Sequence, residues 1–121
     1  MSKTLVFVYG TLKRGLSNHG WMRGQTFVSE AVTEPRYRMH DLGGYPGMVE
    51  LPDGLAIKGE VWEVDEAGLQ RLNVLEGVDA GEYALVPVAL QPPWDQRGVL
   101  GYLYLLPVTG CRDCGTRWVE D

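Results

Sequence analysis

The alternation of apolar and polar residues along the chain predicts several short strands and a single amphipathic helix. Residues 5–9 are apolar, β-branched or aromatic, which is typical of a buried strand. Weaker patterns of the same kind predict further strands at residues 26–32, 37–39, 56–64, 83–90 and 99–106. This set of strands, with a helix inserted late, indicates an α+β fold in which a compact mixed sheet curls into a small barrel.

The helix is predicted from the spacing of three leucines. Leu69, Leu72 and Leu75 recur every third residue and form one apolar stripe. Asp65 is suited to cap the first turn, and Gly77 is suited to end the helix. We therefore expect a helix from residue 66 to about residue 75, with Glu76 as its last residue or its cap.

Two stretches are expected to lack long regular structure. Residues 18–22 predict a single helical turn that packs Trp21 and Met22 inward. Residues 41–54 predict a loop, because six glycines and prolines fall within them. Tyr45 and Met48 are large apolar side chains in this loop, and such residues are unfavourable on an exposed turn.

The end of the first strand carries a candidate ligand site. Gly10 interrupts the strand, and without a Cβ it allows a ligand to approach the main chain. The N–H groups of Gly10, Thr11 and Leu12 lose their strand partners there, so they are suited to bind a carboxylate or a phosphate. The alternative is that Tyr9 and Gly10 simply end a strand.

A phosphate-binding loop of the Walker type is not expected. Gly10 and Gly15 have the spacing of that motif, but Leu16 stands where the motif requires lysine.

Length, charge and hydropathy limit the class of protein. The chain has 121 residues, which fits a single domain over residues 1–121. Its net charge of −5 argues against a general nucleic-acid binder. No apolar run approaches the ~20 residues of a membrane span, and the first strand leaves no room for a signal peptide. We expect a cytoplasmic protein without nucleic-acid or membrane partners, and its oligomeric state stays open.

The two cysteines do not predict a metal site. Cys111 and Cys114 form one pair near the end of the chain, and zinc would need two further ligands. The histidines at 19 and 40 are both distant in sequence. We expect two reduced thiols and no bound metal, while a site shared between two chains stays an alternative.

The run of residues 7–15, followed by Asn18 and His19, resembles the signature of the γ-glutamylcyclotransferase-like (AIG2-like) family. It is most similar to the γ-glutamylamine cyclotransferase branch and its small bacterial relatives. Supporting matches follow in the same order at residues 44–47, 59–62, 72–76 and 82–83. The resemblance covers residues 5–118 and implies the family's small mixed-sheet barrel.

The resemblance also implies an activity and the residues that perform it. A γ-glutamyl amide would cyclise to 5-oxoproline and release its amine, with no cofactor, metal or covalent nucleophile. The residues alone leave Glu76 open as a solvated surface side chain, whereas the resemblance assigns it the proton transfer. The implied substrate-binding residues are Tyr9, Gly10, Thr11, Leu12, Gly44, Tyr45 and Tyr83, of which Tyr9 or Tyr83 would orient Glu76. The alternative function is a module that binds a γ-glutamyl or amino-acid-like ligand without turnover.

Overall fold

Eight strands form one mixed sheet in the computed structural model, which describes residues 3–120. The strands are β1 (Lys3–Val8), β2 (Thr26–Val32), β3 (Tyr37–Asp41), β4 (Pro46–Glu50), β5 (Lys58–Asp65), β6 (Tyr83–Pro87), β7 (Leu100–Tyr104) and β8 (Arg112–Asp113). The helix α1 spans Glu66–Leu75, and a short 3-10 helix spans His19–Met22. The α+β fold with one main helix is confirmed, and the bounds of α1 are those expected from its leucines and caps.

The order of the strands is β2-β5-β1-β7-β4-β3-β8, and β6 pairs with β7. β6 pairs antiparallel with β7 over the whole length of that strand. The parallel partners β1 and β4 therefore share the other edge of β7, where β1 pairs at Leu100 and Gly101 and β4 at Leu103. β1 therefore stops pairing with β7 before β4 begins to pair with it, and the gap between β1 and β4 lies beside Tyr102.

The inner face of the sheet encloses one apolar core. Phe7, Met39, Met48 and Val61 belong to a single buried cluster, although β3 and β5 are separated in the sheet by β1, β7 and β4. Side chains of such distant strands meet only if the sheet curls around them. An isolated bridge between Thr33 and Leu90 adds a further link between the ends of strands.

The outer face of the sheet is covered by the helix. Val6 and Val8 of β1 point to this side and pack with Trp62, Leu72 and Met22. The apolar run at the start of the chain is therefore continuous because both faces of β1 are buried. The helix begins where Asp65 accepts a hydrogen bond from the Gly68 N–H at 2.7 Å, and it is followed by Gly77 at a φ of 66°.

The prediction of a loop over residues 41–54 was wrong in part. Residues 46–50 form β4, in which Met48 pairs with Met39 of β3 and with Leu103 of β7. Partners on both sides outweigh the turn preference of Pro46 and Gly47, because the local preference is weaker than two ladders of hydrogen bonds.

Smaller differences occur at the ends of elements. The predicted strand at 83–90 ends at Pro87, and the one at 99–106 ends at Tyr104. Trp21 was expected inside but is 39% exposed, whereas Met22 is buried as expected. The cysteine tail is not wholly irregular, since β8 pairs with β3 between the two half-buried free thiols. None of the helices within residues 3–120 has the length and apolar character that crossing a bilayer requires.

The packing of α1 on the sheet generates a stability prediction. Leu72 is completely buried, so Leu72→Ala should lower the free energy of unfolding by about 2–5 kcal/mol through lost burial and the cavity left behind. Val74 lies on the same helix and is 77% exposed, so Val74→Ala should change it by less than about 0.5 kcal/mol. Urea denaturation of both variants measures the difference. Equal effects would show that α1 does not pack through Leu72.

Candidate active site

A small cavity lies where β1 and β4 separate along the edge of β7. Its volume is about 40 Å³, and it is lined by residues 7–12, Tyr45, Pro46, Glu76 and Tyr102. β1 contributes its carboxyl end, β4 its first residue and α1 its carboxyl end. Such a volume holds one small polar group, since a water molecule occupies about 30 Å³ in the liquid.

The loop after β1 contributes Gly10, Thr11 and Leu12 to the lining of this cavity. Their backbone N–H groups donate no hydrogen bond to any of residues 3–120. The loop is held in place from behind by the Lys13 N–H, which donates to the Gly10 carbonyl at 3.1 Å. Unpaired N–H groups in a fixed turn favour a bound anion.

Two side chains from the 3-10 segment brace the same loop. The Asn18 amide donates to the Thr11 hydroxyl at 3.0 Å, and the His19 Nδ1 lies 3.0 Å from the Leu12 carbonyl. The His19 ring also packs against Trp62 at 5.4 Å between ring centroids. His19 is therefore a structural residue of the loop and does not line the cavity.

Gly10 is required by its contact with β4. A Cβ at this position would lie 2.6 Å from Cγ of Pro46, far inside van der Waals contact. A ligand was expected to approach Gly10 on the side of the missing Cβ, whereas in the structure the Pro46 ring occupies that side. A larger residue at Gly10 would displace Pro46 and with it one wall of the cavity.

Glu76 lies directly after α1, as its C-cap, with its side chain half-buried at the cavity. Burial, followed by the negative charge of Glu82, raises its pKa from 4.5 to about 7. No donor within residues 3–120 forms a hydrogen bond with the Glu76 carboxylate, so both oxygens are available. A carboxylate of this kind can exchange a proton near neutral pH.

The hydroxyls of Tyr9 and Tyr83 form hydrogen bonds with backbone groups around the cavity and not with Glu76. The Tyr9 hydroxyl donates to the Tyr102 carbonyl at 2.7 Å and accepts from the Met48 N–H at 3.1 Å. The Tyr83 hydroxyl donates to the Pro46 carbonyl at 2.9 Å. The expectation that Tyr9 or Tyr83 orients Glu76 therefore has no hydrogen bond to support it. Burial raises the pKa of both phenols, which stay protonated donors.

The structure brings most of the expected site residues together. Tyr9, Gly10, Thr11, Leu12, Tyr45 and Glu76 all line the cavity. Tyr83 is absent from the lining and lies behind Pro46.

Gly44 is exposed and lies outside the lining of the cavity. Its N–H is already used, because it donates to the Asp41 carboxylate at 3.0 Å. Hydrogen bonds from the amides of Gly44 and Gly43 lower the pKa of Asp41.

Four lining residues were not among the expected site residues, namely Phe7, Val8, Pro46 and Tyr102. Pro46 was treated as a turn residue, and Tyr102 only as one member of an alternating strand. The Asn73 side chain accepts from the Tyr102 hydroxyl at 2.6 Å and so ties α1 to β7 next to the cavity. Because Asn73 lies 29 residues away from Tyr102, the sequence held no local signal for this role. Within the described residues, no three His, Cys, Asp or Glu side chains are grouped to hold a metal ion.

A protein-family model matches most of the chain. The model described as "Gamma-glutamyl cyclotransferase, AIG2-like" matches residues 6–119. The chain belongs to this family. The Escherichia coli K12 protein YtfP, named as a gamma-glutamylcyclotransferase family protein, is 33% identical over 107 residues, which are 88% of each chain. A Vibrio cholerae relative is 46% identical over 74 residues, or 61% of this chain and 63% of that protein.

Solved structures show the same fold. The mouse AIG2-like protein has a TM-score of 0.82 at 24% identity, covering 100% of this chain and 98% of its own. The solution structure of E. coli ytfP has a TM-score of 0.71 at 31% identity, covering 98% and 97%. The family and the α+β sheet of eight strands with one helix are thus established. An Arabidopsis thaliana relative is longer, since the match spans only 51% of it.

The charge state of Glu76 gives a prediction that needs no substrate. Its carboxyl should titrate near pH 7 in the folded protein, and Glu82→Gln should lower that pKa because it removes one of the two causes. Carbon-13 NMR of the carboxyl carbon measures both. A titration near 4.5 would contradict the burial assigned to Glu76.

The same pKa shift has a consequence for stability. Between about pH 4.5 and 7 the folded state binds more protons at Glu76 than the unfolded chain. This contribution to stability is therefore full below pH 4.5 and decreases as the pH rises through 7. Denaturant titrations at several pH values measure this decrease in stability. Glu76→Gln is the control, because it removes the titrating carboxyl and should not show the decrease.

Proposed function

We propose that the protein cyclises a γ-glutamyl amide to 5-oxoproline and releases the attached amine. The observation that carries the proposal is the placing of Glu76, with a pKa of about 7, at the same cavity as three unpaired backbone N–H groups. Glu76 can move a proton at neutral pH, and the three N–H groups can bind a carboxylate. Membership of the AIG2-like gamma-glutamyl cyclotransferase family supports the same chemistry.

The N–H groups of Gly10, Thr11 and Leu12 would bind the α-carboxylate of the substrate. Charge-assisted hydrogen bonds of this kind are short and strong, and they would fix the α-carbon beside Glu76. The cavity is large enough for one such group, so the γ-carbonyl and the amine would extend past Tyr45, which is 40% exposed. The identity of the amine would then be decided at this open side.

Glu76 would move the proton in both directions. Its carboxylate takes a proton from the α-ammonium, and the resulting amine attacks the γ-carbonyl carbon to form the ring C–N bond. Glu76 returns this proton to the leaving nitrogen as its bond to the carbon breaks, and then accepts the second proton, which the ring nitrogen loses to become the lactam N–H. Transfer of that proton to the released amine regenerates the carboxylate. Little more is required of the protein, because correctly posed intramolecular attacks have a very high effective molarity. A pKa close to the working pH is the best compromise for a group that acts as base and then as acid.

Replacing Glu76 tests the proposal. Glu76→Gln keeps the size of the side chain but cannot accept a proton, so kcat should fall by about 10²–10⁴-fold. The measurement is 5-oxoproline release from a panel of γ-glutamyl amides of lysine, a polyamine, an amino sugar and a peptide. Glu66→Gln, at an exposed position in the first turn of the same helix, should keep wild-type turnover.

Binding of the product separates loss of chemistry from loss of the site. 5-Oxoproline carries the α-carboxylate, so it should shift the amide NMR signals of Gly10, Thr11 and Leu12 in the wild type and in Glu76→Gln alike. Near-equal turnover of the two proteins would refute Glu76 as the base. Tight binding of γ-glutamyl amides without turnover by the wild type would favour a binding module.

A further inference from the structure

A second and larger cavity lies away from Glu76. Its volume is about 340 Å³, and it shares no lining residue with the candidate active site. The end of β2 and the start of β5 form its sides, with Ala31 and Gly59 among its small residues. Lys13, Lys58 and Arg117 bring three positive charges to it. A volume of this size falls in the range of small-molecule sites.

The acidic residues at this cavity are already engaged. The buried Glu60 carboxylate accepts hydrogen bonds from the N–H and the Nε of Arg14, each at 3.1 Å, and from the Trp62 ring N–H at 3.0 Å. A second guanidinium nitrogen of Arg14 lies 3.8 Å from the exposed Glu30 carboxylate. Arg14 therefore neutralises part of the negative charge beside the three cations.

The three cations that line the cavity form no ion pair with a carboxylate of the described residues. Lys13 is only 7% exposed, and the partner of its ammonium within residues 3–120 is the Trp118 carbonyl at 2.9 Å. No carboxylate of the described residues lies within 4.0 Å of Lys13, Lys58 or Arg117. Burial, followed by the charge of Arg117, lowers the pKa of Lys13, and the carboxylates of Glu60 and Glu120 oppose this shift only in part. A buried ammonium with spare donors beside a second cation is stabilised by an added anion.

We propose that this cavity binds a small dianionic oxyanion, such as a phosphate group, between Lys13, Lys58 and Arg117. Tetrahedral oxyanions accept several hydrogen bonds at once, which suits a cavity lined by ammonium and guanidinium groups from different parts of the chain. Lys13 directly follows the loop of the candidate active site, but the anion contacts the side chain of Lys13 and not the amides of residues 10–12.

Titration with inorganic phosphate at low ionic strength tests the site. Phosphate should cause saturable shifts in the amide NMR signals of Ala31 and Gly59, which lie in the cavity and away from residues 10–12. Arg117→Gln should weaken phosphate binding about tenfold or more, as expected for one charge-assisted contact. Arg117 is exposed and forms no hydrogen bond within residues 3–120, so this variant should fold normally. Lys13→Met should weaken binding as well, but it also removes the contact with Trp118.

Lys3→Gln is the matched control, because Lys3 pairs with Asp65 at the far end of β5 from Lys58. It removes the same unit of charge and should leave the affinity within about twofold, since screening limits distant charges. Equal weakening by Lys3→Gln would mean general attraction to a positive charge and would overturn the proposal. The absence of saturable shifts at Ala31 and Gly59, or shifts confined to Gly10, Thr11 and Leu12, would overturn it as well. None of these results depends on cyclotransferase activity.

Discussion

The sharing of one edge of β7 by β1 and β4 determines where the candidate active site lies. β6 fills the other edge, so two parallel strands must divide a single line of hydrogen-bonding groups. β1 pairs with β7 as far as Gly101, and β4 pairs with β7 at Leu103. Gly10, Thr11 and Leu12, which follow the end of β1, line the resulting gap, and their N–H groups form no hydrogen bond within residues 3–120. The contact of Pro46 with Gly10 sets the width of that gap, and the hydroxyls of Tyr9 and Tyr83 fix β4 beside it.

The second determinant is the Glu76 carboxylate, which the carboxyl end of α1 places at the gap. Glu76 follows the last turn of the helix, and Asn73 joins that turn to β7 through Tyr102. The helix dipole disfavours a negative charge at this end, but burial and Glu82 are the main causes of the raised pKa. The Glu76 side chain forms no hydrogen bond within residues 3–120 that would hold it in the charged form. In the proposed function, Glu76 would act as the base and the N–H groups of residues 10–12 as the anion site.

Features encoded by neighbouring residues were predictable from the sequence. The helix follows from Leu69, Leu72 and Leu75 between Asp65 and Gly77, and the donors at Gly10, Thr11 and Leu12 follow from a glycine after an apolar strand. Features that depend on distant partners were not. β4 contains Pro46 and Gly47, and only pairing with β3 and β7 makes it a strand. Likewise, nothing local shows that the Tyr9 hydroxyl bonds to β7 or that Lys13 is buried.

The proposed reaction requires that the α-amine of the substrate, rather than water, attacks the γ-carbonyl. Turnover of a γ-glutamyl amide in water enriched in oxygen-18, followed by mass spectrometry of the product, distinguishes the two nucleophiles. Cyclisation should give unlabelled 5-oxoproline in amounts equal to the released amine, because no solvent oxygen enters the ring product. Glutamate carrying one heavy oxygen as the first product would show hydrolysis and would refute the proposed cyclisation.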